Sequence, residues 1–130
     1  MRPDTVLTPH DGEFERLTGK APGDDRLASV RELAAGAGCT VLLKGPTTIV
    51  SNPDGETRVV TSGDARLASA GTGDVLSGVI GAFLAAGMLP LDAAACGAHV
   101  HGLAALLGVP VGLVAADVAE NLPLVLAELG

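Results

Sequence analysis

Residues Thr40 to Lys44 read TVLLK, an apolar and β-branched run that lacks the apolar/polar alternation of a half-solvated strand. A run of this kind fits a strand buried on both faces, so other elements must cover it on either side. The segments around it say which elements those are. Leu27, Val30, Leu33, Ala34 and Ala37 recur at helical spacing before it, with Asp24 or Asp25 as the cap. Thr47–Ser51 and Glu56–Thr61 follow it as two further strands. They are joined by Asn52-Pro53-Asp54-Gly55, where Gly supplies a positive φ.

The two ends of the chain complete the pattern. Val6-Leu7 reads as the tip of a strand. Thr8-Pro9-His10-Asp11 reads as a helix start, with Thr8 as N-cap, Pro9 at the first helical position and Asp11 closing the box, and the helix ends near Gly19. After a Gly/Ser/Ala-rich loop at 62–71, Val75, Leu76, Val79, Ile80, Phe83 and Leu84 form one helical stripe. The opposite face, Ser77, Gly78, Gly81, Ala82 and Ala85, is almost all small, which predicts packing on two sides. Gly87 ends this helix, Pro90-Leu91-Asp92 opens another to about Leu107, and 117–129 reads as helical with a break near Pro123. The order is that of an α/β domain with helices gathered towards the C-terminus.

Composition narrows the function. The 130 residues suffice for one domain, and 48% hydrophobic content supports a substantial core. A net charge of −7 and 2% aromatic residues argue against nonspecific nucleic-acid binding. Cys39 and Cys96 lack CxxC spacing and sit among apolar residues, so they read as small buried hydrophobes rather than a disulfide pair. No apolar run approaches the roughly twenty residues of a membrane span, and Met1–Asp4 is not a signal peptide. The reading is a cytoplasmic domain.

The candidate chemistry lies in AGTGDVLSG, residues 70–78. A helix starting near Thr72 presents N–H groups without partners in the helix, and its dipole places partial positive charge there. Gly71 and Gly73 remove side chains that would block a phosphate, so Gly71, Thr72 and Gly73 form a candidate anion hole. Asp74, in the first turn, is either a capping acid or a base able to accept a proton from a hydroxyl brought to the same place. His10 is either a structural residue or, as a neutral imidazole at a helix N-terminus, a hydrogen-bonding group for a polar ligand. Lys44, followed by Gly45-Pro46-Thr47-Thr48, either reaches for solvent or opens a turn that a phosphate approaches. His99 and His101, two apart on a helix, face different ways and cannot chelate one metal; no metal ligands are assigned.

Taken together, TPHDGE (8–13), LLKGPTTIV (42–50), ASAGTGDVLSGVIGAFLAAG (68–87), AAACGAHVHG (93–102) and VAADVAENLP (114–123) resemble the ADP-dependent NAD(P)H-hydrate dehydratase family. The glycine-threonine-glycine-aspartate run by itself points only to the ribokinase superfamily; TPHDGE and the KGPTT turn are what single out the repair enzyme. The resemblance implies a ribokinase-like three-layer α/β fold. It begins at a motif past the middle of the family's domain, so residues 1–130 read as a single truncated domain, the C-terminal portion of the sheet with its helices. It implies ADP-dependent dehydration of the S epimer of hydrated NADH or NADPH, giving back the coenzyme with AMP and phosphate. ADP, or ATP in some members, would be co-substrate, with Mg2+ as its counter-ion. By motif, His10 and Asp74 would meet the hydrated nicotinamide nucleotide, Asp74 as base. Lys44, Gly45, Pro46, Thr47, Thr48 and Gly73 would meet the adenine nucleotide. The family also implies homo-oligomers, tetramers in its known members, and an epimerase domain fused or acting alongside. The alternatives are a ribokinase-like kinase of a small molecule and an inactive nucleotide-binding fragment.

Overall fold

A computed structural model describes residues 4–61 and 72–106. Along the chain these form β1 (Val6–Leu7), α1 (Asp11–Thr18), α2 (Arg26–Ala37), β2 (Thr40–Leu43), β3 (Thr48–Ser51), β4 (Thr57–Val60), α3 (Thr72–Ala85) and α4 (Pro90–Leu106). The strands make one sheet in the order β1-β2-β3-β4. β1 runs parallel to β2, with Val6 opposite Thr40 and Leu7 opposite Val41. The pairs β2/β3 and β3/β4 are antiparallel, with Leu42 opposite Val50 and Ile49 opposite Val59.

The doubly buried run behaves as its sequence requires. Every residue of β2 is buried, and its side chains alternate between two separate apolar clusters. Val41 and Leu43 pack with Phe14, Val30, Ala34 and Ile49 beneath α1 and α2. Leu42 packs with Val50, Val60, Leu76, Ile80 and Leu91 beneath α3 and α4. The result is a helix–sheet–helix sandwich. Each large aliphatic side chain fully withdrawn from water here contributes about 1.5–3 kcal/mol. α3 and α4 approach closely because Gly97 has no side chain: a Cβ there would lie 2.7 Å from Ile80 Cγ1.

Punctuation explains most of the boundaries. Asp25 caps α2 through its carboxylate and the Ala28 amide, and Gly19 and Gly38 close α1 and α2 in the left-handed conformation. At the β3–β4 turn Gly55 has φ 95°, and the Asn52 and Asp54 side chains both accept from the Glu56 amide.

Four expectations are corrected. α1 begins at Asp11 with His10 as N-cap, not at Pro9 with Thr8 as cap. The physical reason is tertiary: the Pro9 carbonyl accepts a 2.9 Å hydrogen bond from the Lys44 amide, which holds that segment in extended contact with the end of β2. Among the described residues the small face of α3 is exposed, at Ser77, Gly78, Gly81, Ala82 and Ala85, so α3 packs by its aliphatic stripe alone. Leu27, placed on the buried stripe of α2, is 39% exposed at the helix start. Cys96 lies on the exposed side of α4, whereas Cys39 is buried. Burial pushes the Cys39 thiol above its ordinary pKa. The predicted helix at 117–129 lies outside the described residues.

Candidate active site

Two loops leave the carboxyl ends of the parallel strands β1 and β2, and parallel pairing brings them side by side. In open α/β sheets the crevice outside those strand ends is where ligands bind. The Lys44 amide bond to Pro9 ties the two loops together at their roots.

From this junction three side chains meet. The Glu13 amide donates to His10 Nδ1 at 3.1 Å, and the His10 amide donates to Glu13 Oε1 at 3.1 Å. This is a capping box with imidazole in the place of the usual hydroxyl or carboxylate. Because Nδ1 accepts a hydrogen bond, the proton of the neutral ring sits on Nε2. Nε2 lies 3.3 Å from Glu13 Oε1, and the Lys44 ammonium lies 3.9 Å from the same oxygen. Glu13 therefore links the two residues read as ligand contacts from the sequence. Its carboxyl is held below the ordinary value of 4.5, chiefly by the His10 backbone N–H; burial opposes this, and the neighbouring His10, Lys44 and Arg16 side chains each add a smaller lowering effect. Gly12 lies close against the same box: a Cβ there would stand 3.1 Å from the imidazole Cε1 and would require the ring to shift slightly.

A second set of bonds lies under the Lys44–Thr48 turn. The Arg26 guanidinium at the first position of α2 grips Asp11 with two 3.0 Å bonds, and Nη2 also reaches the Lys44 carbonyl at 3.4 Å. Gly45 follows, where a Cβ would lie 3.0 Å from Arg26 Nη2. Gly45, Pro46 and Thr47 are exposed, Lys44 and Thr48 half-buried. A groove of about 390 Å3 runs alongside, lined by Leu7, Thr8, Pro9, Glu13, Arg16 and Leu17.

The third segment is the start of α3. Its backbone is helical from Thr72, so Gly73 and Asp74 stand in the first turn. Gly71 and the side chains of Thr72 and Asp74 lie outside the described residues. The structure thus brings His10, Lys44 and Gly45 together and leaves the relation of Asp74 to them undescribed. Of the helical histidines, His99 is exposed and His101 buried. Among the described residues no three His, Cys, Asp or Glu side chains are grouped to hold a metal ion, and no helix is long and apolar enough to cross a membrane.

Sequence reasoning missed Glu13 and Arg26. The spacing His10-x-x-Glu13 repeats the Ser/Thr-x-x-Glu signature of a capping box and could have identified Glu13. Arg26 gives no local signal, since its partners are 15 and 18 residues away.

Comparison with known proteins bears on the family. A family model described as NAD(P)H-hydrate dehydratase matches residues 1–118. The bifunctional NAD(P)H-hydrate repair enzyme Nnr of Mycobacterium leprae is 53% identical over 103 residues, which is 79% of this chain and 22% of that protein. The ADP-dependent (S)-NAD(P)H-hydrate dehydratase of Neisseria meningitidis serogroup B is 46% identical over 122 residues, 88% of this chain and 41% of that one. Among solved structures, the ADP/ATP-dependent NAD(P)H-hydrate dehydratase of Bacillus subtilis, co-crystallized with ATP/Mg2+, superposes with a TM-score of 0.90 at 32% identity. That match covers 96% of this chain and 48% of the Bacillus one. A ribokinase-like superfamily protein of Enterococcus faecalis superposes with a TM-score of 0.83 at 29% identity. The chain spans less than half the length of these curated relatives, and its layered sheet is part of a ribokinase-like fold. On the motif content, the superposition and the extent of the family match, the chain belongs to the NAD(P)H-hydrate dehydratase family.

Proposed function

We propose that this chain supplies the nucleotide-handling part of an ADP-dependent dehydratase acting on the S epimer of hydrated NADH or NADPH. The observation that carries this reading is the His10–Glu13–Lys44 junction at the carboxyl ends of two parallel strands. It places an imidazole, a carboxylate and an ammonium beside an exposed glycine-containing turn. On this reading Lys44, Gly45, Pro46, Thr47 and Thr48, with Gly73, contact the adenine nucleotide. His10 and Asp74 contact the hydrated nicotinamide.

Hydroxide is a poor leaving group, so the ring hydroxyl is first made into a phosphate ester. Asp74 removes the hydroxyl proton as the oxygen attacks the terminal phosphorus of ADP, and AMP departs. The amides of Gly71 to Asp74, at the positive end of α3, hold the charge that develops on the transferred group. The ring nitrogen then pushes its lone pair inward, phosphate leaves with the bonding electrons, and loss of a ring proton restores the dihydronicotinamide. Magnesium would be held mainly by the nucleotide phosphates and water, since it prefers oxygen ligands and gives up its own waters reluctantly. Assembly as a homo-oligomer and action beside an epimerase belong to the same reading, the latter supported by the bifunctional relatives.

The test supplies the protein with hydrated NADH and ADP and follows NADH, AMP and phosphate together. Equal amounts of all three are expected where these residues act within a dehydratase of their relatives' length; the 130 residues alone are expected to bind adenine nucleotide weakly and to turn over little or nothing. A stable phosphorylated product from a panel of vitamin alcohols, with no NADH recovered, would instead make the protein a kinase of the same fold. Failure to bind any adenine nucleotide would contradict both.

A further inference from the structure

We propose that Arg26 is a positioning residue for the nucleotide turn, a strut that sets where Lys44 and Gly45 stand relative to the His10 loop. The proposal rests on the nucleotide reading of that turn. Arg26 joins three segments distant in sequence: its fork spans both Asp11 oxygens at 3.0 Å, and Nη2 also donates to the Lys44 carbonyl at 3.4 Å. It thus couples the first residue of α1, the first residue of α2 and the residue that follows β2. A mere surface ion pair would need only the first of these contacts. Two further features mark a shaped fit. A Cβ on Gly45 would come within 3.0 Å of Nη2, so the turn closes down on the guanidinium. Lys44, whose carbonyl Arg26 holds from one side, is bonded through its amide to Pro9 on the other, so its peptide planes are fixed at both ends. The direction of the Lys44 side chain and of the exposed amides after it follows from those planes. Arg26 touches no proposed substrate atom and acts through the turn.

A planar fork makes this geometry and an ammonium does not, so lysine should keep the charge and lose the function. The experiment compares the unaltered chain with Arg26→Lys, Arg26→Gln and Asp11→Asn. Arg31→Gln serves as control, removing an arginine of the same helix whose Nε donates to Thr57 Oγ1 at 3.0 Å on another side. ADP affinity is measured by titration calorimetry, and amide exchange is followed at residues 41–48. Both Arg26 variants are expected to bind ADP about tenfold or more weakly, since small misplacements of binding groups carry effects of that order. They are also expected to speed exchange at Lys44 and the turn while leaving Val41 to Leu43 slow. Asp11→Asn should show the same changes to a smaller degree, and Arg31→Gln neither. Unchanged exchange at Lys44 in Arg26→Gln overturns the proposal, as does unchanged ADP affinity despite faster exchange. Loss of affinity in Arg31→Gln equal to that in Arg26→Gln reduces the effect to general stability and also overturns it. If the unaltered chain binds no ADP, the nucleotide reading itself fails. Faster turn exchange in Arg26→Lys would then still support the strut, and unchanged exchange would sink both.

Discussion

The two ends of the sheet carry openings of nearly equal size and quite different construction. At the carboxyl ends of β1 and β2 the groove of about 390 Å3 adjoins a network of side chains that reach across the sequence: His10, Glu13, Lys44, Arg26 and Asp11. At the opposite end, between the β3–β4 turn and the start of α4, a cleft of about 380 Å3 is lined by Asn52, Glu56, Arg58, Leu89 and Asp92 among others. Among the described residues, the polar bonds of the lining side chains are mostly local, although Arg31 of α2 reaches Thr57 of β4 nearby. Glu56 bonds to Asn52 and Asp54 within its own turn, and Arg58 pairs with Glu56 two residues away. Volume does not separate these openings. Strand direction and the number of cross-element polar contacts do: at one end His10, Glu13, Lys44, Arg26 and Asp11 join several elements, while at the other a single such bond, Arg31 to Thr57, accompanies a well-made turn beside a helix start.

The largest expected contrast is catalytic. Asp74→Asn should lower dehydration by about a hundredfold to ten-thousandfold, the usual contribution of a positioned base, while leaving ADP binding nearly intact. Asp92→Asn, also in the first turn of a helix but at the far end, should leave the rate unchanged. Steady-state rates of the two variants decide the matter, and equal losses would erase the distinction between the ends.

Binding gives the next contrast. Lys44→Ala removes a cation from the proposed phosphate turn, and hydrogen bonds to charged groups are worth about 1.5–3 kcal/mol, so ADP affinity should fall at least about tenfold. Arg58→Ala should not change it. Two glycines then separate affinity from stability. Gly55 has φ 95°, so Gly55→Ala should cost about 1–2 kcal/mol in denaturant unfolding without altering ADP affinity. Gly45→Ala meets Arg26 rather than backbone strain, and should weaken ADP binding more than it lowers the unfolding midpoint.

The smallest effect is a pH dependence. The carboxyl of Glu13 is depressed in the folded chain, so its contribution is present above the ordinary value of 4.5 and is lost as pH falls through the lower folded value. With the side chain 46% exposed, that contribution is below about 1 kcal/mol. The stability difference between the unaltered chain and Glu13→Gln should therefore be small near neutrality and fade as pH falls below 4.5 through the lower folded value, as thermal melts across that range would show.

Local chemistry made much of the fold legible. The burial of Thr40–Leu43, the Asp25 cap, the Gly19 and Gly87 stops and the Gly55 turn all follow from residues within a few positions of one another. What escaped depends on distant partners. Thr8-Pro9 looks like a helix start until the Lys44 amide claims the Pro9 carbonyl. His10 is outside the common set of capping residues, and only the folded box shows Nδ1 in that place. The small face of α3 says that a neighbour could come close, not that one does, and there the described structure is open. In the site, motif spacing brought out His10 and Lys44. The carboxylate linking them and the arginine beneath them become visible only once β1 and β2 pair.

The most direct test of the account is amide hydrogen exchange over the whole chain with and without saturating ADP. Slowed exchange concentrated at residues 44–48 and at the first turn of α3 is the predicted result. Protection centred on residues 52–58 and 89–92, with the Lys44 turn unaffected, would contradict it.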